Sequence, residues 1–308
     1  MRTLQLVTTA ERSFFQQQVE SLRARGIDCT VLEVPGTHDA DAPRTPSDYA
    51  RYLRSVLGRS LDDFDVVHAN YGLVAPFALA QPTRPVVVTF WGTDLMGSPW
   101  LRRLGNACAR FVDRVVLPSS AMGEYLQRDY DRIPFGVDVE TFRPIPKARA
   151  RREVGWSQDR PIVLFPYDTE RPEKDYPRAR RVVDRLDADV DLRAISGVDH
   201  ADVPLYMNAS DAVLVTSRRE SGPMVVKEAV ACNVPVVSTD VGFVRETLEP
   251  VSCSAVCRTD AELADALAQV LRMNDRPNGR EVLSGLDPDS LGEQLEAVYT
   301  DLLGGVDE

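Results

Sequence analysis

The chain has 308 residues, 44% of them hydrophobic and 27% charged, which sets aside general disorder and supplies core material for two domains. Its 36 Lys plus Arg stand against 47 Asp plus Glu, a net charge of −11, so it lacks the positive face that nonspecific nucleic-acid binding needs. The longest apolar runs, such as Pro85–Trp91, fall far short of the roughly 20 residues of a membrane span.

In chain order, Met1-Arg-Thr-Leu-Gln-Leu-Val7 reads straight into a strand with no signal-peptide pattern, so a cytoplasmic protein is expected. Thr3–Thr8 is a predicted buried strand, followed by a helix over Phe14–Arg25 that Gly26 stops. Ile27–Val34 returns to strand, and a Pro-rich loop, Pro35–Pro46, leads to a helix at Ser47–Leu57. Asp65–Ala69, Val86–Phe90 and Val115–Pro118 are further short strands. All are uniformly apolar, as strands covered on both faces must be, which indicates a parallel sheet wrapped by helices.

A composition break follows at Phe142–Arg152, with two prolines and five cationic residues. Beyond it the alternation resumes, from the apolar run Arg160–Pro166 through strands at Leu192–Ile195, Ala212–Val215 and Val234–Ser238. Helices are predicted at Pro177–Leu186, Met224–Cys232, Ala261–Met273 and Pro288–Leu303. The expected organisation is an α/β domain over 1–144, a second over 145–287, and a terminal helix in 288–308, for which crossing back to the first domain is one option. Ligands on such sheets bind beyond the carboxyl ends of the strands, so the chemistry should lie in the loops that follow them.

Cysteine and lysine usage narrow the search. Cys29, Cys108, Cys232, Cys253 and Cys257 are an odd, scattered set without zinc-type pairing, best read as small buried residues in a reducing compartment. Three basic residues are lysine, Lys147, Lys174 and Lys227, and the rest are arginine. After Ala212–Val215 comes Ser217-Arg-Arg-Glu220-Ser-Gly222-Pro-Met-Val-Val-Lys227-Glu228. Gly222-Pro223 opens a helix, with proline expected in its first turn, and the amides of Met224 and Val225 form a natural phosphate cradle. Glu220 and Glu228 bracket that helix start. A carboxylate beside a helix start is also a plain dipole contact, so both readings of Glu220 stand at this point.

This segment resembles the carboxy-terminal signature of family-4 retaining glycosyltransferases, whose two glutamates are separated by seven residues. The resemblance continues in Lys227–Gly242, Val203–Asp211, Ile133–Pro144 and Val66–Gly72, in the family's order. It implies the GT-B architecture, two Rossmann-like α/β domains facing across a cleft, with 1–144 on the acceptor side and 145–287 binding a nucleotide-diphosphate sugar. It further implies that Glu228 binds ribose hydroxyls, Glu220 contacts the donor sugar near the reacting carbon, and Gly222, Pro223, Met224 and Val225 hold the diphosphate. Lys174, in Arg171-Pro-Glu-Lys174, matches the lysine that neutralises the leaving diphosphate. Arg171 stands closer to that lysine than the family's arginine does, and either reaches the same phosphate or faces water.

Two departures lie in the amino-terminal half. Thr8-Thr-Ala-Glu-Arg-Ser-Phe-Phe15 replaces a glycine-rich turn, and Thr89-Phe-Trp91-Gly-Thr93-Asp94 places tryptophan where relatives commonly have histidine. Trp91 can stack on a sugar and donate one hydrogen bond, or simply pack between domains. His68, at a strand end, is either a packing residue or an acceptor contact. Thr93 is an acceptor-side candidate, and Asp94 either caps the next helix or touches the acceptor. His38 and His200 read as loop residues without partners. The expected partners are a nucleotide-diphosphate sugar and a glycan, lipid-linked or small-molecule acceptor, with no nucleic acid, peripheral membrane contact possible, and no cofactor or essential metal. A nucleotide-sugar epimerase of the same fold and a noncatalytic nucleotide-sugar binder are the alternatives.

Overall fold

A computed structural model describes residues 1–36, 43–59, 64–220, 222–283 and 285–304. His38 lies outside them. The chain forms two compact units, Met1–Gly136 with Pro288–Glu308, and Val137–Asp287. Each is a parallel α/β sheet wrapped by helices, the Rossmann-like arrangement.

In the first unit the order is β1 (Arg2–Val7), α1 (Ser13–Ala24), β2 (Asp28–Glu33), α2 (Pro46–Arg59), β3 (Val66–Asn70), α3 (Ala75–Ala80), β4 (Val86–Thr89), α4 (Pro99–Ala109), β5 (Arg114–Leu117) and β6 (Asp131–Arg132). A π-helical turn, Thr93–Gly97, and a 3-10 turn, Ser120–Tyr125, interrupt it. The sheet runs β2-β1-β3-β4-β5-β6, and every paired strand is parallel. β3 and β4 are buried throughout, because hydrophobic side chains go to both faces. Leu4, Leu6, Val67 and Val88 pack one face, and Val7, Val66 and Val87 pack the other. That second face is closed by Phe15, Val19 and Leu22 of α1 and by Leu291, Leu295 and Tyr299 of the terminal helix, Pro288–Gly304. Gly292 permits this approach, since a Cβ there would lie 2.0 Å from Ser21 Oγ.

The second unit contains α5 (Lys147–Glu153), β7 (Ile162–Phe165), α6 (Tyr176–Val183), β8 (Asp191–Ala194), α7 (Val203–Ala209), β9 (Ala212–Val215), α8 (Met224–Ala231), β10 (Val236–Thr239), α9 (Val244–Leu248), β11 (Ala255–Cys257), α10 (Asp260–Met273) and α11 (Gly279–Val282). Its sheet order is β11-β10-β9-β7-β8. The stretch up to Pro144, given to the first domain on sequence grounds, packs with this unit instead: Val137 and Phe142 are buried in its core, and Val137 N–H donates to Leu286 O at 2.9 Å. The cationic composition break is likewise not a free linker. Arg151 is 4% exposed and donates to Ala209 O at 2.9 Å and Asp211 at 2.6 Å, so its charge is spent fixing α5 to the strand entrance. Among the described residues no helix is long and apolar enough to cross a membrane.

In each sheet the chain reverses its direction of travel once. β8 lies on one side of β7 and β9 on the other, so the strand order reverses between β7 and β9, the place in such sheets where ligands bind at the strands' carboxyl ends. The first sheet has the same switch point between β1 and β3.

Candidate active site

The loop after β7 carries Tyr167, Arg171 and Lys174, and the loop after β9 carries Thr216, Ser217, Glu220 and Gly222. The two loops are laced together. Thr216 Oγ1 donates to the carbonyls of Lys174 and Asp175, each at 3.0 Å, and Arg218 N–H donates to Glu173 O at 2.9 Å. Thr239 Oγ1, at the end of β10, donates to Ser217 O at 2.7 Å. Asp175 takes the left-handed conformation (φ 56°) and caps α6 by accepting from Arg178 N–H, while Arg218 pairs with its other oxygen at 2.8 Å. The side chains on these loops are therefore held by backbone contacts, as a pre-organised site requires.

Glu220 is the centre of this arrangement. Its Oε1 accepts from the Lys174 ammonium, from Ser217 Oγ at 2.8 Å and from Tyr167 O–H at 3.3 Å. Lys174 and Glu220 side chains are 6% and 13% exposed, so the pair sits largely out of water. The Lys174 ammonium also lies 4.0 Å from the centre of the Tyr167 ring, a cation–π contact. Burial holds Lys174 below the usual lysine range, and Glu220 pulls it back up. Burial, with the Glu220 charge beside it, pushes the Tyr167 phenol well above its ordinary value, so it stays a neutral donor. Lys174 and Glu220 thus come together. Arg171 does not join them; it is exposed and forms an ion pair with Glu173 at 2.6 Å.

α8 starts at Met224, with Pro223 at the N-cap position in extended backbone rather than in the first turn. Proline there is outside the helix, which leaves the amides of Met224 and Val225 among the first-turn donors that a helix cannot satisfy internally. Gly222 is required by packing, because a Cβ would lie 2.1 Å from Phe243 Cε1. Phe243, just after β10, is 2% exposed and also receives the Lys227 ammonium at 4.5 Å from its ring centre. Lys227 is 2% exposed and serves the fold. Glu228, one turn into α8, is 7% exposed, and its Oε1 faces His200 Nε2 at 3.3 Å. The expectation that His200 lacks a partner is corrected by that contact.

The amino-terminal candidates divide differently. His68 is fully buried, with Nδ1 at 2.6 Å from Tyr299 O–H and Nε2 at 2.7 Å from Thr89 Oγ1. Both ring nitrogens are engaged and no atom is accessible, so the acceptor reading of His68 gives way to a core histidine, its pKa lowered to about 3 by burial. Asp94 is also fully buried, accepting from the amides of Gly72 at 2.9 Å, Trp91 at 3.0 Å and Gly92 at 2.7 Å. It ties the turns after β3 and β4 together rather than capping the following helix or meeting a ligand. Burial pushes its carboxyl above the ordinary range, against the pull of those amides. Trp91 packs on Phe14 at 4.8 Å, Phe15 at 6.0 Å and Tyr71 at 5.7 Å, and its indole Nε1 is buried with no partner among the described residues. Thr93 is exposed and bonds Tyr71 O–H at 2.9 Å. Tyr167, Ser217 and Phe243 escaped sequence reasoning; only their place immediately after strands of the second sheet marked them.

Comparison with known proteins gives the family and the fold. Residues 12–141 match the family model Glycosyltransferase Family 4, and residues 173–281 match Glycosyl transferases group 1, together well over half of the chain. The D-inositol 3-phosphate glycosyltransferase of Frankia alni is 28% identical over 288 residues, covering 72% of this chain and 69% of that protein. That of Saccharomonospora viridis is 30% identical over 218 residues, and the chain spans half of its length, 50%. Among solved structures, sucrose-phosphate synthase from Thermosynechococcus elongatus superposes with a TM-score of 0.82 over 99% of this chain and 100% of that one, at 15% identity. Anabaena HepE, solved in complex with UDP and glucose, gives 0.75 over 98% and 100% at 16% identity. The chain belongs to the group 1, family 4 glycosyltransferases, with the two Rossmann-like domains of the GT-B fold.

Proposed function

We propose that this glycosyltransferase moves a sugar from a nucleoside-diphosphate donor to a glycan, lipid-linked or small-molecule acceptor, with retention at the anomeric carbon and without an essential metal. The observation that carries the reading is the Lys174–Glu220 pair at the switch point of the second sheet. The likeness to HepE, which was solved with UDP and glucose, supports a nucleoside-diphosphate sugar as donor.

Departure of the diphosphate builds negative charge on its oxygens. A buried ammonium and helix-start amides stabilise that charge more as it grows, which is what accelerates a reaction. In this reading Lys174 and the amides of Met224 and Val225 take the diphosphate, and Glu228 accepts from the ribose hydroxyls. Glu220 meets the sugar near the reacting carbon, where cationic character develops. The acceptor oxygen attacks from the face the diphosphate leaves, and a departing phosphate oxygen takes its proton, so no acid–nucleophile carboxylate pair is needed. On the first domain, Trp91 and Thr93 remain the proposed acceptor contacts. Exposed Trp100, in the first turn of α4, and Phe111, two residues past its end, lie close in sequence to Arg102, Arg103 and Arg110, a composition that suits contact with an anionic membrane surface.

The test is incubation with UDP-, GDP- and ADP-sugars and candidate acceptors, with and without chelator. The anomeric configuration of the product is read by NMR. Retained configuration and chelator-insensitive transfer are expected. Inverted product refutes the mechanism, and a donor that binds but transfers to no acceptor favours a binding protein.

A further inference from the structure

Glu228 is held by a residue outside every signature segment. Among the described residues His200 is the side chain hydrogen-bonded to its carboxylate, Nε2 to Oε1 at 3.3 Å. His200 lies in the loop between β8 and α7, on the far side of the switch point from Glu220. The two side chains differ sharply in exposure, 47% for His200 and 9% for Glu228. The imidazole is set edge-on against Phe142, with ring centres 5.2 Å apart, and Phe142 is itself 1% exposed in the core of this unit. A firm aromatic wall therefore sets the ring's direction.

We propose that His200 is the positioning residue for Glu228: its Nε2–H fixes one carboxylate oxygen and leaves the other to accept from the ribose of a nucleoside diphosphate. The inference rests on the assignment of Glu228 to the ribose. The physical need is clear from the side chain itself. A glutamate has three rotatable bonds, and an unrestrained carboxylate must lose that freedom when the ribose arrives. A donor already on Oε1 removes that cost before binding. The acidic groups facing His200 are Glu228 and Asp138, and both favour its charged form. As the imidazolium, or as the neutral tautomer that carries its proton on Nε2, the ring donates to Glu228, so the orienting bond persists across the histidine titration.

The experiment compares the tightest binder among UDP, GDP and ADP with its 2′,3′-dideoxy form by calorimetry, in the parent and in Glu228→Ala, His200→Ala and His200→Gln. Melting temperatures are recorded for all four. The parent should prefer the ribose form by about 10- to 100-fold, the size of a charge-assisted hydrogen bond. Glu228→Ala should abolish the preference. His200→Ala should cut it to within about threefold while the dideoxy compound binds as before, and His200→Gln, which restores an N–H donor, should recover most of it. If His200→Ala keeps the full preference while Glu228→Ala loses it, the inference fails and the ribose assignment survives. If His200→Gln recovers nothing, packing on Phe142 rather than N–H donation holds the site, and the inference fails again. A preference that survives Glu228→Ala overturns both.

Discussion

Replacing Lys174 by Met and Glu220 by Gln, singly and together, separates a charge pair from two independent residues. Lys174→Met leaves Glu220 with an uncompensated carboxylate in a site where its side chain is 13% exposed. Breaking a buried pair costs about 3–5 kcal/mol. Ser217 and Tyr167 still donate to Oε1, and the site keeps some water, so about 2–3 kcal/mol is expected here. Glu220→Gln strands the ammonium, but the Tyr167 ring 4.0 Å away still attracts it, giving about 1–2 kcal/mol. The double variant buries no unpaired charge and should cost about 2 kcal/mol less than the sum. Denaturant unfolding of the four proteins at pH 7 measures this. Transfer rates on the same proteins should fall about 10²–10³-fold for Lys174→Met, with a smaller loss in donor affinity, because the diphosphate charge grows toward the transition state. Activity that needs the ammonium should also fail at alkaline pH below the range of a free lysine, since burial lowers its pKa. Additive stabilities within about 0.5 kcal/mol refute the pair as an energetic unit. Equal losses in affinity and turnover refute the leaving-group role.

Three further outcomes are expected. Glu228→Ala should weaken the nucleoside diphosphate itself by about 1.5–3 kcal/mol, measured by calorimetry, and unchanged affinity removes Glu228 from the binding site. Gly222→Ala should cost about 1–3 kcal/mol of stability by pushing a methyl onto Phe243, and Phe243→Leu should recover part of it in the double variant; a parental melting temperature contradicts the packing reading. His68 has a folded pKa of about 3 against 6.5 free, so its share of stability is complete above pH 6.5 and is lost as pH falls toward 3. At most about 5 kcal/mol is involved, and His68→Gln should flatten that part of the acid unfolding curve; an unchanged curve means another group sets it.

Strands were legible where apolar runs are uninterrupted: Ala212–Val215 was read with its observed bounds, and the predicted helix at Pro288–Leu303 ends one residue short of the observed one. β6 and β11, with two and three residues, carry no periodicity long enough to read. The region from Phe142 to Arg152 misled because proline and positive charge signal a linker, whereas burial of Phe142 and the bond from Arg151 to Asp211 are tertiary facts. Glu220 and Glu228 were legible as a pair bracketing a helix start, and Lys174 through the resemblance of the segment around it. What spacing cannot carry is a side chain's surroundings. Position at or after a strand left His68 between packing and acceptor contact and Asp94 between capping and acceptor contact. In the fold His68 is bonded to Tyr299 and Thr89 inside the domain, and Asp94 takes three amides of the turns after β3 and β4. His200 failed the other way: its partner stands 28 residues on, across the sheet, beyond any local pattern.

A net charge of −11 runs against the anionic donor proposed for this chain, and the two are reconciled by range. Exposed charges act over about 8 Å at physiological ionic strength, so carboxylates elsewhere on the surface are screened from the site. Inside that distance the proposed donor would meet the buried Lys174 ammonium and the first-turn amides of α8, in a medium poorer in water, where each counts for more. Without a donor, the ammonium would be stranded there; Glu220 neutralises it, and Ser217 and Tyr167 share the carboxylate. In the proposed function, the contact that neutralises the buried ammonium also places the carboxylate beside the cation assigned to the leaving diphosphate. Cation and carboxylate come from loops on either side of the switch point, so a strand order set by hydrophobic burial fixes the distance between the two charges.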